Sequence, residues 1–274
     1  MKTILVPTDF SDTARKAVEV AKEIARKTKA TIHLANFYAV RAADYAYPDI
    51  SMPEQIMEEM RKAALEGMSA LVGELEAEGF SAESTIRMGM ATDSIIELAE
   101  EAAVDLIVMG TTGAGSLVNK IIGSNAEHVM SNTKTPIILV PADCSFDGIY
   151  QMVYADRLTE DATPELTKVF GFASQIGAHN VSILNVNTQH HYEPVNEHVL
   201  LQLGRVFGHD RVKLTIVDAD SVKEGIDKYL DHHNIDLVVM STHKKTLLER
   251  IFNKSNTKMM ALYSKVPVMV YHVD

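Results

Sequence analysis

Short apolar runs alternate with longer stretches in which apolar residues recur at helical spacing. Residues 3–6 form a brief β candidate that stops at Pro7, Thr8 and Asp9. Ser11 follows as a helix cap, because its hydroxyl can accept from an unpaired amide of the first turn. Ala14, Ala17, Val18, Ala21, Ile24 and Ala25 then share one helical face. Residues 31–37 read as a strand and 84–87 as a weak one. Residues 54–78 read as a helix with Ile56, Met60, Ala63, Leu71 and Leu75 inward, and 92–103 as another with Ile95, Ile96 and Ala99 inward. Residues 106–109 and 137–140 are apolar throughout, as suits a parallel sheet covered on both faces. Strands alternating with helices predict right-handed crossovers and an α/β doubly wound sheet.

The pattern occurs twice. The segment from Asp105 to Met109 is echoed from Asp236 to Met240, and the run beginning at Pro136 by the run beginning at Pro267, both at an offset of 131. Earlier matches, Asn36 with Asn185 and Asp9 with Asp156, fall at 149 and 147. The difference places extra residues in the first half, at 41–53, a candidate lid or plain surface loop. Second-half strands are expected at 151–154, 181–186, 213–217, 237–240 and 268–272, and its helices are less clearly patterned. Two domains are therefore expected, 1–144 and 148–274, each with a five-stranded sheet.

Length and composition agree with two globular units: 274 residues, 46% hydrophobic and 23% charged. The formal net charge of −11 lacks the footprint of a nucleic-acid binder and makes an anionic membrane an unfavourable partner. One cysteine, Cys144, excludes an internal disulfide and fits a reducing compartment. With no long apolar span and no secretory leader pattern, a cytoplasmic location is expected.

Candidate chemistry concentrates after the strand at 106–109. Met109, Gly110, Gly113, Ala114 and Gly115 lead to Gly123, Ser124 and Asn125, which open a helix. Ligands of open α/β sheets bind beyond the carboxyl ends of strands. Glycines let the backbone approach an anion, and a helix N-terminus favours phosphate. The alternative is a glycine-rich turn followed by a plain cap. There is no Walker-type loop, and Val118 interrupts a G-x-G-x-x-G.

Gly110-x2-Gly113-x9-Gly123-Ser124 resembles the G-2x-G-9x-G-[S/T] signature of the universal stress protein family. The opening from Ile4 to Ser11 resembles that family's first strand and turn, and the segment from Thr135 to Pro141 its last strand. The second half is similar mainly through the repeat, so the whole resembles a tandem member. The resemblance implies five parallel strands per half in the order 3-2-1-4-5, and an ATP site with Mg2+ or Mn2+ on the phosphates. It places Asp9 against the adenosine with Pro7 and Thr8 beside it, and Asn36 at the adenine through its backbone. It gives ribose and phosphates to the loop from Met109 to Gly115 and to Gly123, Ser124 and Asn125. Asp9 also has a plainer reading, as a turn residue at a strand end.

The second half departs from the signature. The 131 offset sets Ser241, Lys244 and Lys254 against Gly110, Gly113 and Gly123. Asp156 is expected opposite Asp9 and Ser255 opposite Ser124. Lysine supplies charge but not the cradle, so this half is expected not to bind ATP in the family manner. The first half, to Asp147, holds 13 basic and 22 acidic residues and the second 13 and 15, a division consistent with different roles. His190, His191, His198, His232 and His233 lack metal-ligand spacing, and His128 reads as a helix-surface residue. No nucleophile elbow or arginine finger is evident, so no catalytic residue is assigned.

These readings point to an ATP-binding stress regulator whose halves form an internal pseudo-dimer, with an unidentified protein partner and room for a further homodimer. The alternatives are a slow ATPase or phosphotransferase, and a nucleotide-independent scaffold or small-ligand binder.

Overall fold

The computed structural model describes residues 1–38, 54–112, 124–156, 158, 163–178, 180–188, 197–208, 212–243 and 266–273. Its strands are β1 (Thr3–Pro7), β2 (Thr31–Tyr38), β3 (Ala82–Met88), β4 (Leu106–Gly110), β5 (Ile137–Val140), β6 (Gln151–Ala155), β7 (Asn180–Thr188), β8 (Val212–Ala219), β9 (Leu237–His243) and β10 (Val268–Val273). Its helices are α1 (Asp12–Thr28), α2 (Glu54–Ala77), α3 (Ala91–Glu101), α4 (Ser124–Asn132), α5 (Thr163–Ile176), α6 (Glu197–Phe207) and α7 (Val222–His232).

The strands form one sheet in the order β3-β2-β1-β4-β5-β10-β9-β6-β7-β8. The first five strands keep the expected 3-2-1-4-5 order, and the last five repeat it in mirror sequence across the sheet. The two sheets expected from sequence are thus one. They merge where β5 meets β10 antiparallel, with Leu139 opposite Val268 and Ile137 opposite Val270. Every other strand pair is parallel. Strands β5 and β10 are each a naked apolar edge, and pairing them removes both edges from solvent.

The halves share more than this seam. One apolar layer packs α1, α2, α5 and α6 on one face of the sheet, and a second packs α3, α4 and α7 on the other. Both layers run across the junction. Cys144, buried in the first layer, lies in the connecting segment. Lys16 of α1 donates its Nζ to the carbonyls of Ala142 and Cys144, the latter at 3.1 Å, and clasps that segment to α1.

The repeated aspartates have a structural cause. Asp105 Oδ2 accepts from the amides of Lys2 and Thr3, and Asp236 Oδ2 accepts from those of Tyr150 and Gln151. Each ties the start of its half's first strand to the strand beside it. Ser11 caps α1 as its position predicts, with Ala14 N donating to Ser11 Oγ at 3.2 Å. Helix α2 differs from expectation. Its buried face is Ala64, Met68, Leu71 and Leu75, while Ile56 is 38% exposed and Ala63 faces solvent. The buried positions of this helix thus fall in its middle and C-terminal turns. Among the described residues, no helix is long and apolar enough to cross a membrane.

Candidate functional site

Strand β1 ends at Pro7, between β2 and β4, where the chain turns into α1. Thr8 and Asn36 are both buried at this end of the sheet. The amide of Thr8 donates to Ala35 O at 2.8 Å, and Asn36 Nδ2 donates to Thr8 O at 2.8 Å. Thr8 Oγ1 accepts from the amide of Phe10, whose φ of 63° bends the chain away from the strand. Asp9 is exposed, and its Oδ1 accepts from the amide and hydroxyl of Ser11 at 3.1 and 2.6 Å. The turn role is therefore real, and the side chain is exposed at this end of the sheet.

Gly110 closes β4 against the first turn of α1. A Cβ there would lie 2.7 Å from Thr13 Cγ2 and 3.1 Å from the Thr13 carbonyl carbon. The glycine is thus needed for helix–strand approach. Thr13 Oγ1 and Thr112 Oγ1 lie 3.1 Å apart, a hydrogen bond that ties α1 to the chain leaving β4. Neither threonine carries a sequence signal that would have singled it out. Met109 has its side chain in the apolar layer beneath α3 and α4, so only its backbone faces the sheet end. Ser124 is the first residue of α4, and Asn125 is exposed in its first turn. His128, one turn on, pairs through Nε2 with Asp93 Oδ1 of α3 at 3.2 Å. Gly113, Ala114, Gly115 and Gly123 lie outside the described residues, as do 41–53, Lys244, Lys254 and Ser255.

The corresponding end of β6 is built differently, and the register corrects one expectation. Pro7 pairs with Ala35 as Ala155 pairs with Leu184, and Ile4 with Leu106 as Met152 with Leu237. The offset along these strands is 148, so Asp156 occupies the place of Thr8, not of Asp9. Its bonds agree: Asp156 N donates to Leu184 O at 3.0 Å, Asn185 Nδ2 to Asp156 O at 3.4 Å, and Leu158 N to Asp156 Oδ1 at 2.8 Å. Leu158 has the positive φ, 56°, seen at Phe10. The residue in sequence register with Asp9 is Arg157. The second half therefore lacks the Asp9 carboxylate as well as the glycines.

Ser241 occupies the place of Gly110, and Tyr154 that of Val6. Tyr154 is fully buried, and its hydroxyl donates to Asp156 Oδ2 at 2.9 Å and lies 3.0 Å from Ser241 Oγ. Ser241 Oγ donates to Asp156 Oδ2 at 2.7 Å. Burial first, then the Asp156 carboxylate, pushes the Tyr154 phenol far above its ordinary value. A bonded triad of side chains thus stands where the first half has valine, threonine and glycine.

The chain belongs to the universal stress protein family, whose pattern matches residues 1–141 and again 170–272. It is 32% identical over 144 residues to a universal stress protein of Methanocaldococcus jannaschii, spanning 51% of this chain and 81% of that one. It is 33% identical over 141 residues to a universal stress protein of Thermus aquaticus, spanning 51% of this chain and 98% of that one. Over nearly its whole length it shares the fold of a universal stress protein from Archaeoglobus fulgidus, with a TM-score of 0.75, 20% identity and 98% of each chain covered. A universal stress protein from Pseudomonas aeruginosa gives 0.64 at 15% identity, covering 99% of this chain and 93% of that one. The repeat read from sequence is a tandem of this family.

Proposed function

We propose that this protein is a nucleotide-binding stress-response regulator of the cytoplasm, with one ATP site, in its first half. The carrying observation is the glycine spacing from Gly110 to Gly123-Ser124, set between the end of β4 and the start of α4. Backbone amides at that helix start suit phosphate, and Gly110, Gly113, Ala114, Gly115, Gly123, Ser124 and Asn125 would hold it. Pro7, Thr8, Asp9 and Asn36 would meet the adenosine, with the backbone of Met109 beside them. The bonds that fix Thr8 and Asn36 support this role, because a preorganised pocket orders few groups on binding. An Mg2+ or Mn2+ ion would arrive on the phosphates and neutralise their charge.

The second half, 148–274 against 1–144, acts in this reading as a built-in partner without a nucleotide. Tyr154, Asp156 and Ser241 favour that division: they fill the sheet end with a bonded side-chain triad and set a carboxylate in the place of Thr8, where the first half would meet the adenosine. Calorimetric titration of ATP-Mg into the intact chain tests the proposal, beside Gly113→Lys, which copies the second half. One equivalent bound, and lost in the variant, is the expected result. No heat at millimolar ATP would sink the nucleotide reading.

A further inference from the structure

Helices α3 and α7 hold the same place in the two halves, beginning at Ala91 and Val222, an offset of 131. They differ at the residue before. The N-cap of α7 is Ser221, and its Oγ accepts from the amide of Glu224 at 3.2 Å. The N-cap of α3 is Met90. Its backbone has the extended shape of a cap, with φ −72° and ψ 127°, but its side chain makes no capping bond. A thioether sulfur is a weak acceptor, so the first-turn amides of α3 receive nothing from the position that serves them in α7.

Met90 is also open to solvent. It is 71% exposed, and Met88, at the end of β3, is 62% exposed. Gly89 between them has no side chain to shade either sulfur. The other described methionines are half-buried or buried, and Met68, Met109, Met130, Met152, Met240 and Met269 belong to the apolar layers. Exposure governs how readily a thioether meets an oxidant. The turn that Met90 begins is connected further: Asp93 pairs with His128 of α4 at 3.2 Å, so its order bears on the helix that opens at Ser124.

We propose that Met88 and Met90 form a peroxide-sensitive site, and that the sulfoxide of Met90 caps α3 as Ser221 caps α7. The thioether attacks a hydroperoxide. An S–O bond forms and the O–O bond breaks. Sulfur gives up two electrons, and the departing oxygen takes the proton and leaves as water or an alcohol. The new sulfoxide oxygen is a polar acceptor on a flexible side chain at the cap position, toward which the amides of Thr92 and Asp93 open. Methionine sulfoxide reductases, one for each epimer, reverse the change. The inference stands apart from nucleotide binding.

The test treats the full chain with hydrogen peroxide, maps sulfoxides by peptide mass spectrometry, and reads amide exchange at Thr92 and Asp93 by NMR. Met88 and Met90 should oxidise at least about tenfold faster than Met68, Met130 and Met152. Oxidation should slow exchange at Thr92 or Asp93 by about threefold, the effect of a modest N-cap. Met90→Leu should remove that response, and Met88→Leu should keep it. Met90→Asn, which brings its own capping oxygen, should show the slowed exchange before any peroxide is added. The proposal is overturned by sulfoxide forming at Met90 no faster than in the core, or by an oxidised wild type whose exchange is unchanged. A response that persists in Met90→Leu or vanishes in Met88→Leu overturns it too, as does exchange in Met90→Asn equal to that of the untreated wild type.

Discussion

Ser241 stands in the ladder position that Gly110 holds in the other half, and its hydroxyl donates to Asp156 at 2.7 Å. A position that must be empty in one half is a hydrogen-bond donor in the other. Restoring glycine there leaves Asp156 short of one donor without creating a cradle. We expect Ser241→Gly to lose about 1–3 kcal/mol of stability, the cost of a weakened buried polar group, and to gain no ATP binding. Denaturant unfolding and calorimetry read the two outcomes separately.

Gly110→Ala places a methyl 2.7 Å from Thr13 Cγ2, with the Thr13 backbone behind it. Helix α1 must then move off the sheet. A loss of about 1–3 kcal/mol is expected from overpacking, together with weaker ATP affinity, because Thr13 and Thr112 separate. An alanine variant as stable as the wild type would show that α1 can shift freely.

Lys16→Met keeps the apolar stem and removes the ammonium that holds the carbonyls of Ala142 and Cys144. The connecting segment should then open more often. Limited proteolysis should cut between residues 142 and 148 several times faster, with little change in far-ultraviolet dichroism.

Burial, reinforced by Arg87 and opposed by Glu83, holds His33 below its ordinary pKa. The folded state thus prefers the neutral ring, which shares a hydrogen bond with Thr85 at 2.8 Å. Its contribution is fully present above the unfolded value of about 6.5 and is lost as pH falls through it toward the lower folded value. Denaturation midpoints from pH 8 to 5 should therefore fall more steeply for the wild type than for His33→Gln.

Cys144 is 4% exposed, and burial raises its thiol pKa against a smaller opposing effect of Lys16. It should resist alkylation in the folded protein and react only on unfolding. Labelling as fast as that of a free thiol at neutral pH would contradict the burial.

The fold was legible because its signals are strong and local. Continuous apolar runs at 106–109 and 137–140 suit buried parallel strands, and their echo 131 residues later marks the repeat. The register of β6 was not legible. Asp9 and Asp156 align by residue type, but ladder pairing sets the true offset one residue further, and a one-residue slip exchanges a turn residue for a pocket residue. Helix α2 misled because its apolar positions begin before its buried face, which starts at Ala64.

The seam between β5 and β10 makes association a property of a single molecule. Two separate chains meeting through such strands drift apart on dilution, whereas here the partner is always present at the high local concentration set by the connection. The ratio of one half to the other is fixed at synthesis, and neither half needs to be self-complementary. One face of the seam is therefore at liberty to diverge while the other stays constrained, which a symmetric pair of identical subunits does not permit.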